Sequence, residues 1–388
     1  MYAGKLVFAQ LTDLIHPEQF RRCARRYRGD YKVKTFSCWN QFLCMAFGQL
    51  TFRESLRDVE TCLRSRRDQL YHLGIRGEVS RSALADANRE RDWRIYHDLA
   101  QVLIRRARAL YVNEPIGAEL NETVYALDST TIDLCLNLFP WARFRRTKAA
   151  IKLHTLLDLR GSIPTFISIS QGKQADVRVL DELVLEPGSF YVMDRGYVDF
   201  QRLYGFVLAA AFFVTRAKTN LQFNRLESRP VDLATGVRSD QVIWLRNLSS
   251  IHHYPDKLRR IHYVDADTGK SLIFLTNHLA LPALTVALLY KGRWQVELFF
   301  KWIKQHLRIK HFYGLSDNAV KTQIWISVCV YVLVAIVKKQ VKSQRSLYSI
   351  LQILSVNAFE QEPLHQVLSY SGPQISQDEY CNQLLFNY

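Results

Sequence analysis

Two short apolar runs that each end in an aspartate constrain this chain's fold more than any other feature. Val124-Tyr-Ala-Leu127 leads into Asp128-Ser-Thr, and Ser189-Phe-Tyr-Val-Met193 leads into Asp194-Arg-Gly-Tyr197. Between them lie two β-like runs, Ile151 to Leu157 and Ile163 to Ile169. They are joined by Asp158-Leu-Arg-Gly161, which predicts a hairpin. A helical segment from Val177 to Leu185 and the breaker Pro187-Gly188 follow. A helix from about Phe200 to Ala210 and a strand from Phe212 to Arg216 complete a β-β-β-α-β-α-β succession. Such alternation predicts a mixed α/β sheet. An aspartate just past a buried strand sits at the carboxyl end of that sheet, where α/β folds place ligands. It is costly there unless paired or metal-bound. Taken singly, each aspartate reads equally as a helix cap or a turn residue.

A third carboxylate comes from a helix predicted from about Leu284 to Leu307. Steps of three, four and seven put Tyr290, Arg293, Glu297 and Lys304 on one stripe. A carboxylate beside fixed cations suits a site that binds metal and grips phosphate, although soluble helices also carry solvated Arg/Glu faces. Asp128 and Asp194 favour the first reading. Three carboxylates, two at strand ends and one on a helix across the sheet, can hold two divalent cations ~4 Å apart for phosphodiester chemistry.

The flanking regions fit a protein that meets a polyanion. The formal charge is +16, from 52 basic and 36 acidic residues. Residues 1 to about 115 read as helical and basic. Ser80 or Ser82 is expected to cap a helix carrying Arg81, Asn88 and Arg89, in a pattern like a helix-turn-helix reader or an ordinary packing helix. Residues 217–283 read as a β-rich insertion, and residues 346–388 as a C-terminal tail. The apolar run Ile324 to Val337 is shorter than the ~20 residues of a membrane span and is expected to be a buried core helix, with no membrane partner. Seven cysteines without a CxxC pair suggest neither zinc nor disulfides, and reduced buried thiols in a cytoplasmic protein fit best. Trp141, Arg143, Arg145, Arg146 and Lys148 form a basic, aromatic segment expected to border the site and contact DNA, with a solvated loop as the alternative. His154 is read as structural.

Asp128-Ser-Thr, Asp194-Arg-Gly-Tyr and the Tyr290/Arg293/Glu297/Lys304 spacing resemble the DDE transposases of bacterial insertion sequences. The match is to insertion sequence family four, marked by a Tyr-x2-Arg-x3-Glu-x6-Lys signature, and it covers roughly Val124 to Lys338. The resemblance implies an RNase H-like core with a mixed five-stranded sheet (residues 116–216 and 284–345), interrupted by the insertion and preceded by the helical segment. It implies that Asp128, Asp194 and Glu297 are the catalytic ligands of two Mg²⁺ ions, with Mn²⁺ as a substitute. Tyr290, Arg293 and Lys304 would contact DNA phosphates, and Arg81 and Arg89 would belong to the N-terminal DNA-binding segment. The implied partners are double-stranded DNA, as terminal inverted repeats and target, and a second copy of the chain on that DNA. The implied setting is the bacterial cytoplasm and nucleoid. Two rivals remain at this point: an RNase H-like nuclease or resolvase without strand transfer, and a non-catalytic DNA-binding descendant. In the related group a Trp of the insertion holds a flipped base. Trp244 matches that role in position alone.

Overall fold

The computed structural model describes residues 4–116, 120–306 and 312–369. Ten strands form one sheet: β1 (Val124–Leu134), β2 (Arg143–Arg145), β3 (Lys148–Asp158), β4 (Ile163–Gln171), β5 (Phe190–Met193), β6 (Phe212–Arg216), β7 (Phe223–Arg229), β8 (Val237–Leu245), β9 (Leu258–Val264) and β10 (Ser271–Thr276). The central five run in the order β4-β3-β1-β5-β6. The first three are antiparallel, and β5 and β6 lie parallel to β1. The expected β3–β4 hairpin is present. Its turn uses Gly161 at φ +75°, where a Cβ would run into the Tyr111 ring.

The β-rich segment, expected as an insertion into a five-stranded sheet, instead enlarges that sheet. Strand β10 pairs antiparallel with β6, and β9, β8 and β7 continue outward. An open β6 edge would leave unpaired backbone donors and acceptors, and β10 covers them.

Thirteen helices occur among the described residues: α1 (Val7–Thr12), α2 (Pro17–Arg26), α3 (Cys38–Leu50), α4 (Leu56–Arg64), α5 (Arg81–Glu90), α6 (Arg94–Tyr111), α7 (Phe200–Leu208), α8 (Leu248–His253), α9 (Ala283–Gly292), α10 (Trp294–His306), α11 (Asp317–Gln340), α12 (Leu347–Val356) and α13 (Leu364–Ser369). Serine side chains cap several of them. Ser80 Oγ accepts from the Ala83 amide at 3.2 Å, and Ser316 Oγ accepts from the Ala319 amide at 3.1 Å. The expected apolar core helix is α11, which is long and apolar enough to cross a membrane by length and composition. Within this fold, 94% of its most apolar window is buried, against α6, α3, α5 and α12 among others. One hydrophobic cluster therefore takes in the N-terminal helices, α11 and the C-terminal helices together. Arg108 ties α6 to the sheet through Asp158 at 3.3 Å and Glu186 at 3.2 Å.

Four local expectations change. No tight helix-turn-helix forms, because residues 65–80 separate α4 from α5, and Asn88 is buried against Gln41 (2.8 Å) and the Met45 sulfur. The segment Val177 to Leu185 is a 3₁₀ turn over Asp176–Asp181. The single helix expected from Leu284 is two, α9 and α10. Tight i→i+3 bonds join Arg293 to Tyr290 and Val296 to Arg293 at the junction, each 3.1 Å. Gly292, a weak helix former, sits at that break. The expected end of the helix at Leu307 lies outside the described residues. Cys135 is exposed rather than buried, and Cys381 also lies outside the described residues.

Candidate active site

Strand register brings the two aspartates together. The β1–β5 pairing ends at Leu127↔Met193, so Asp128 and Asp194 are the next residues on two adjacent parallel strands. Asp194 lies past the end of β5, as expected. Asp128 does not lie at a strand end, because β3 keeps pairing with β1 through Leu134↔Ala149 and carries the strand onward. On the β5 side, however, β1 loses its neighbour at Asp128, and that gap opens the site.

The helical stripe closes over this pair. Tyr290 donates its hydroxyl to Asp194 Oδ1 at 3.2 Å. Arg293 reaches in both directions: one Nη donates to Asp128 Oδ2 and the other to Glu297 Oε1, each at 2.6 Å. Lys304 Nζ donates to the Thr131 carbonyl of β1 at 2.8 Å. The four signature residues thus all face β1 and the β5 terminus, despite the break at Arg293.

Burial pushes the Asp128 carboxyl up from 3.8 to about 6. The Ser129 amide and the Arg293 guanidinium oppose the rise, while Glu297 and Asp194 add to it. Desolvation and crowding by like charge outweigh a short ion pair here. Burial also raises the Tyr290 phenol to about 12, so it stays protonated and can donate. Burial disfavours the charged form of Arg293, yet Tyr290, Asp128 and Glu297 together raise its pKa, so the guanidinium is a fixed cation.

In the surrounding layer, Lys152 and His154 alternate on β3 and are expected from the sequence to face the site, whereas Asp176 and Arg216 carry no assignment from it. Asp176 accepts from Ser129 Oγ at 2.8 Å and from Lys152 Nζ at 2.9 Å, and the Ser129 amide in turn holds Asp128 Oδ1 at 2.8 Å. Asp176 is the sole acid between Asp158 and Asp181, a signal available in the sequence. His154 packs behind it with Nε2 2.9 Å from Ser170 Oγ, and burial lowers its pKa, which suits a neutral structural ring. Arg216 at the end of β6 stands 4.0 Å from Asp194. It ends the strand that follows Asp194, which is the sequence signal for it.

Other expected contacts fall elsewhere. Arg143, Arg145, Arg146 and Lys148 are exposed on the β2–β3 hairpin. Thr155 pairs with Asp128, and Lys148 lies seven residues before it on β3, about 23 Å away at ~3.3 Å per residue. The basic segment therefore does not border the carboxylates. Trp141 donates its indole N–H to the Leu315 carbonyl at 2.7 Å and fastens that loop. Arg81 is exposed at the start of α5, and Arg89 is paired with Asp86 at 2.8 Å and Glu90 at 3.0 Å.

Carboxylate oxygens are the donors a hard divalent cation takes. Asp128, Asp194 and Glu297 match that donor type, and the strand register and the two Arg293 hydrogen bonds place them in one neighbourhood. Among the described residues they do not converge as a ready three-ligand group, since Arg293 stands between Asp128 and Glu297.

Comparison with known proteins gives this arrangement its family. Residues 119–333 match the Transposase DDE domain, and residues 3–76 match a domain of unknown function. The chain belongs to the DDE transposase family. A transposase of Sinorhizobium fredii is 33% identical over 257 residues, 65% of this chain and 70% of that one. A transposase named for an insertion sequence element of Geobacillus stearothermophilus is 30% identical over 56% of this chain and 57% of its own length. A third, named for an insertion sequence element of a Synechocystis strain, is 25% identical over 69% of this chain and 75% of its own. This transposase is therefore an enzyme of DNA strand cleavage and transfer, and families of its kind generally use divalent metal ions.

Proposed function

We propose that this transposase binds the ends of an insertion sequence and catalyses Mg²⁺-dependent cleavage and strand transfer there, with Asp128, Asp194 and Glu297 as the metal-holding residues. The observation that carries the proposal is the register that sets Asp128 beside Asp194, under a helix whose Arg293 spans Asp128 and Glu297. The strand order β4-β3-β1-β5-β6, with an antiparallel meander followed by two parallel strands, supports an RNase H-like core. When bound, two Mg²⁺ ions (Mn²⁺ as a substitute) supply Lewis-acid charge at the scissile phosphate.

The chain's own residues do the rest. Hydrolysis forms a bond from water oxygen to phosphorus and breaks the bond to the 3′ oxygen, which leaves as a hydroxyl. That hydroxyl then attacks a second phosphodiester and displaces its leaving oxygen. Arg293 and Lys304 are the cations that grip the phosphates: Arg as a two-pronged donor, Lys as a point charge. Tyr290 orients Asp194 by its hydroxyl. Asp176, through Ser129, orients Asp128. The substrate is double-stranded DNA carrying terminal inverted repeats, and a pair of chains holds two ends together.

The test is a strand-cleavage and strand-transfer assay on DNA carrying the element's own ends, with and without Mg²⁺. Glu297→Ala is expected to abolish both reactions while leaving end binding intact. Cleavage that persists in this variant rejects the assignment of α10. Cleavage without transfer in the native chain points to a nuclease instead.

A further inference from the structure

The geometry points to a particular DNA contact outside the carboxylate site, a groove between α2 and α6 that grips the phosphate backbone of duplex DNA. It rests on the reading that the substrate is DNA. The groove has a volume of about 1250 Å³ and five arginines on its walls, Arg22, Arg25 and Arg26 from α2 and Arg105 and Arg106 from α6. All five are exposed. Helical spacing explains the array: Arg22 and Arg26 are one turn apart, and Arg105 and Arg106 follow Asp98 by about two turns.

The acids in the groove do not balance these charges. Glu18 and Asp98 are its only carboxylates, which leaves a formal excess of three positive charges. Glu18 is already shared by Arg25 and, at 3.1 Å, by Arg21. Asp98 accepts from Arg26 at 2.9 Å and from the Tyr27 hydroxyl at 3.1 Å. Arg106 is turned to the Leu14 carbonyl at 2.5 Å. Among the described residues Arg22 and Arg105, one on each wall, form no ion pair and no side-chain hydrogen bond. Two exposed guanidiniums that line one groove without a carboxylate partner offer their donors to an external anion. At about 1250 Å³ the groove lies somewhat above the ~300–1,000 Å³ of small-ligand pockets, which suits an extended polyanion better than a single phosphate ion. In a chain of net charge +16 that processes DNA, the duplex backbone is that polyanion. Arg89 is already paired with Asp86 and Glu90 on its own helix, whereas among the described residues Arg22 and Arg105 have no such partner.

The test uses the full chain and a fluorescein-labelled duplex of arbitrary sequence, with binding followed by anisotropy across a salt series. Each phosphate contact contributes about 0.9 to the slope of log affinity against log salt. The double variant Arg22→Ala/Arg105→Ala is expected to flatten that slope by ~1.8 and to weaken binding at least ten-fold at low salt. A control, Arg238→Ala/Lys270→Ala, removes the same charge from exposed positions on β8 and in the β9–β10 turn and is expected to change the slope by less than half as much. Thermal melting confirms that both variants fold. Equal effects in the two variants, or no effect in the first, overturn the proposal. Cleavage is read separately. A chain that binds DNA through the groove but cuts nothing defeats the proposed active site alone. A chain that cuts normally while the groove variant binds like the native protein defeats the groove alone.

Discussion

Replacing Asp128 with asparagine is expected to make the protein more stable and catalytically inert. The carboxyl is 20% exposed, and burial raises its pKa from 3.8 to about 6 even though Arg293 holds it. With the pKa raised in the folded state, folding favours the protonated form. The stability this contributes is complete below the unfolded value of 3.8 and is lost as pH rises through about 6. A rise of about two units is worth ~3 kcal/mol at neutral pH. Asparagine has the same shape, does not ionise, and offers Arg293 an amide oxygen in place of the carboxylate. The assay is urea unfolding of metal-free protein, kept in chelator, over a pH series. At about pH 7.5 the variant is expected to exceed the native chain by roughly 2–3 kcal/mol. The gap should close between about pH 6 and pH 4, as the native chain gains a proton in the folded state. A gap that is absent, reversed or constant with pH would refute the reasoning that desolvation outweighs the Arg293 ion pair. The same variant should show no Mg²⁺-dependent cleavage at any pH.

Other substitutions test separate parts of the structure. Arg293→Ala leaves Asp128 and Glu297 facing each other without a cation, so the metal-free protein should lose roughly 2–3 kcal/mol at neutral pH, while Mn²⁺ binding without DNA, read by electron paramagnetic resonance, should tighten. Weaker Mn²⁺ binding would show that Arg293 helps assemble the ligands rather than competing with the ion. Arg259 is 3% and Asp240 5% exposed, joined by two hydrogen bonds of 2.8 and 2.6 Å across β8 and β9. Arg259→Ala should cost about 3–5 kcal/mol in denaturant unfolding, and the double variant Arg259→Met/Asp240→Leu, which removes both charges and keeps the volume, should cost much less. Gly161→Ala meets both a φ of +75° and the Tyr111 ring, and a melting curve should show a loss of roughly 2–4 kcal/mol.

The site was more legible in the sequence than its surroundings, for a physical reason. Helical periodicity is local, so the spacing of Tyr290, Arg293, Glu297 and Lys304 set their common face, and the tight turn at Arg293 did not rotate it away from β1. Strand ends are also local signals, which is why Asp194 was placed correctly. The length of β1 was not legible, because it depends on pairing with β3, a contact between distant segments. The same applies to β10, whose pairing with β6 turns an insertion into part of the main sheet. The arginine groove had no local signature at all. Its two walls are about eighty residues apart, and each helix alone reads as an ordinary charged surface.

The signature residues are best understood through the charge they leave in place before substrate arrives. Three carboxylates in one partly buried neighbourhood cannot all remain ionised without compensation. Arg293 supplies it at Asp128 and Glu297, Arg216 stands 4.0 Å from Asp194, and Lys304 holds the backbone of β1. The compensation is incomplete, as the raised pKa of Asp128 records. Divalent cations at the carboxylates would complete it, favouring the ionised form of Asp128, and would leave Arg293 available to an incoming phosphate. The cation next to the acid at four-residue spacing is thus useful in both states. It holds Asp128 and Glu297 together, and its two prongs suit a phosphate as well as a carboxylate. A lysine at 293 could not span Asp128 and Glu297 with two separate prongs, so Arg293→Lys should keep the charge yet lose much of the apo stability.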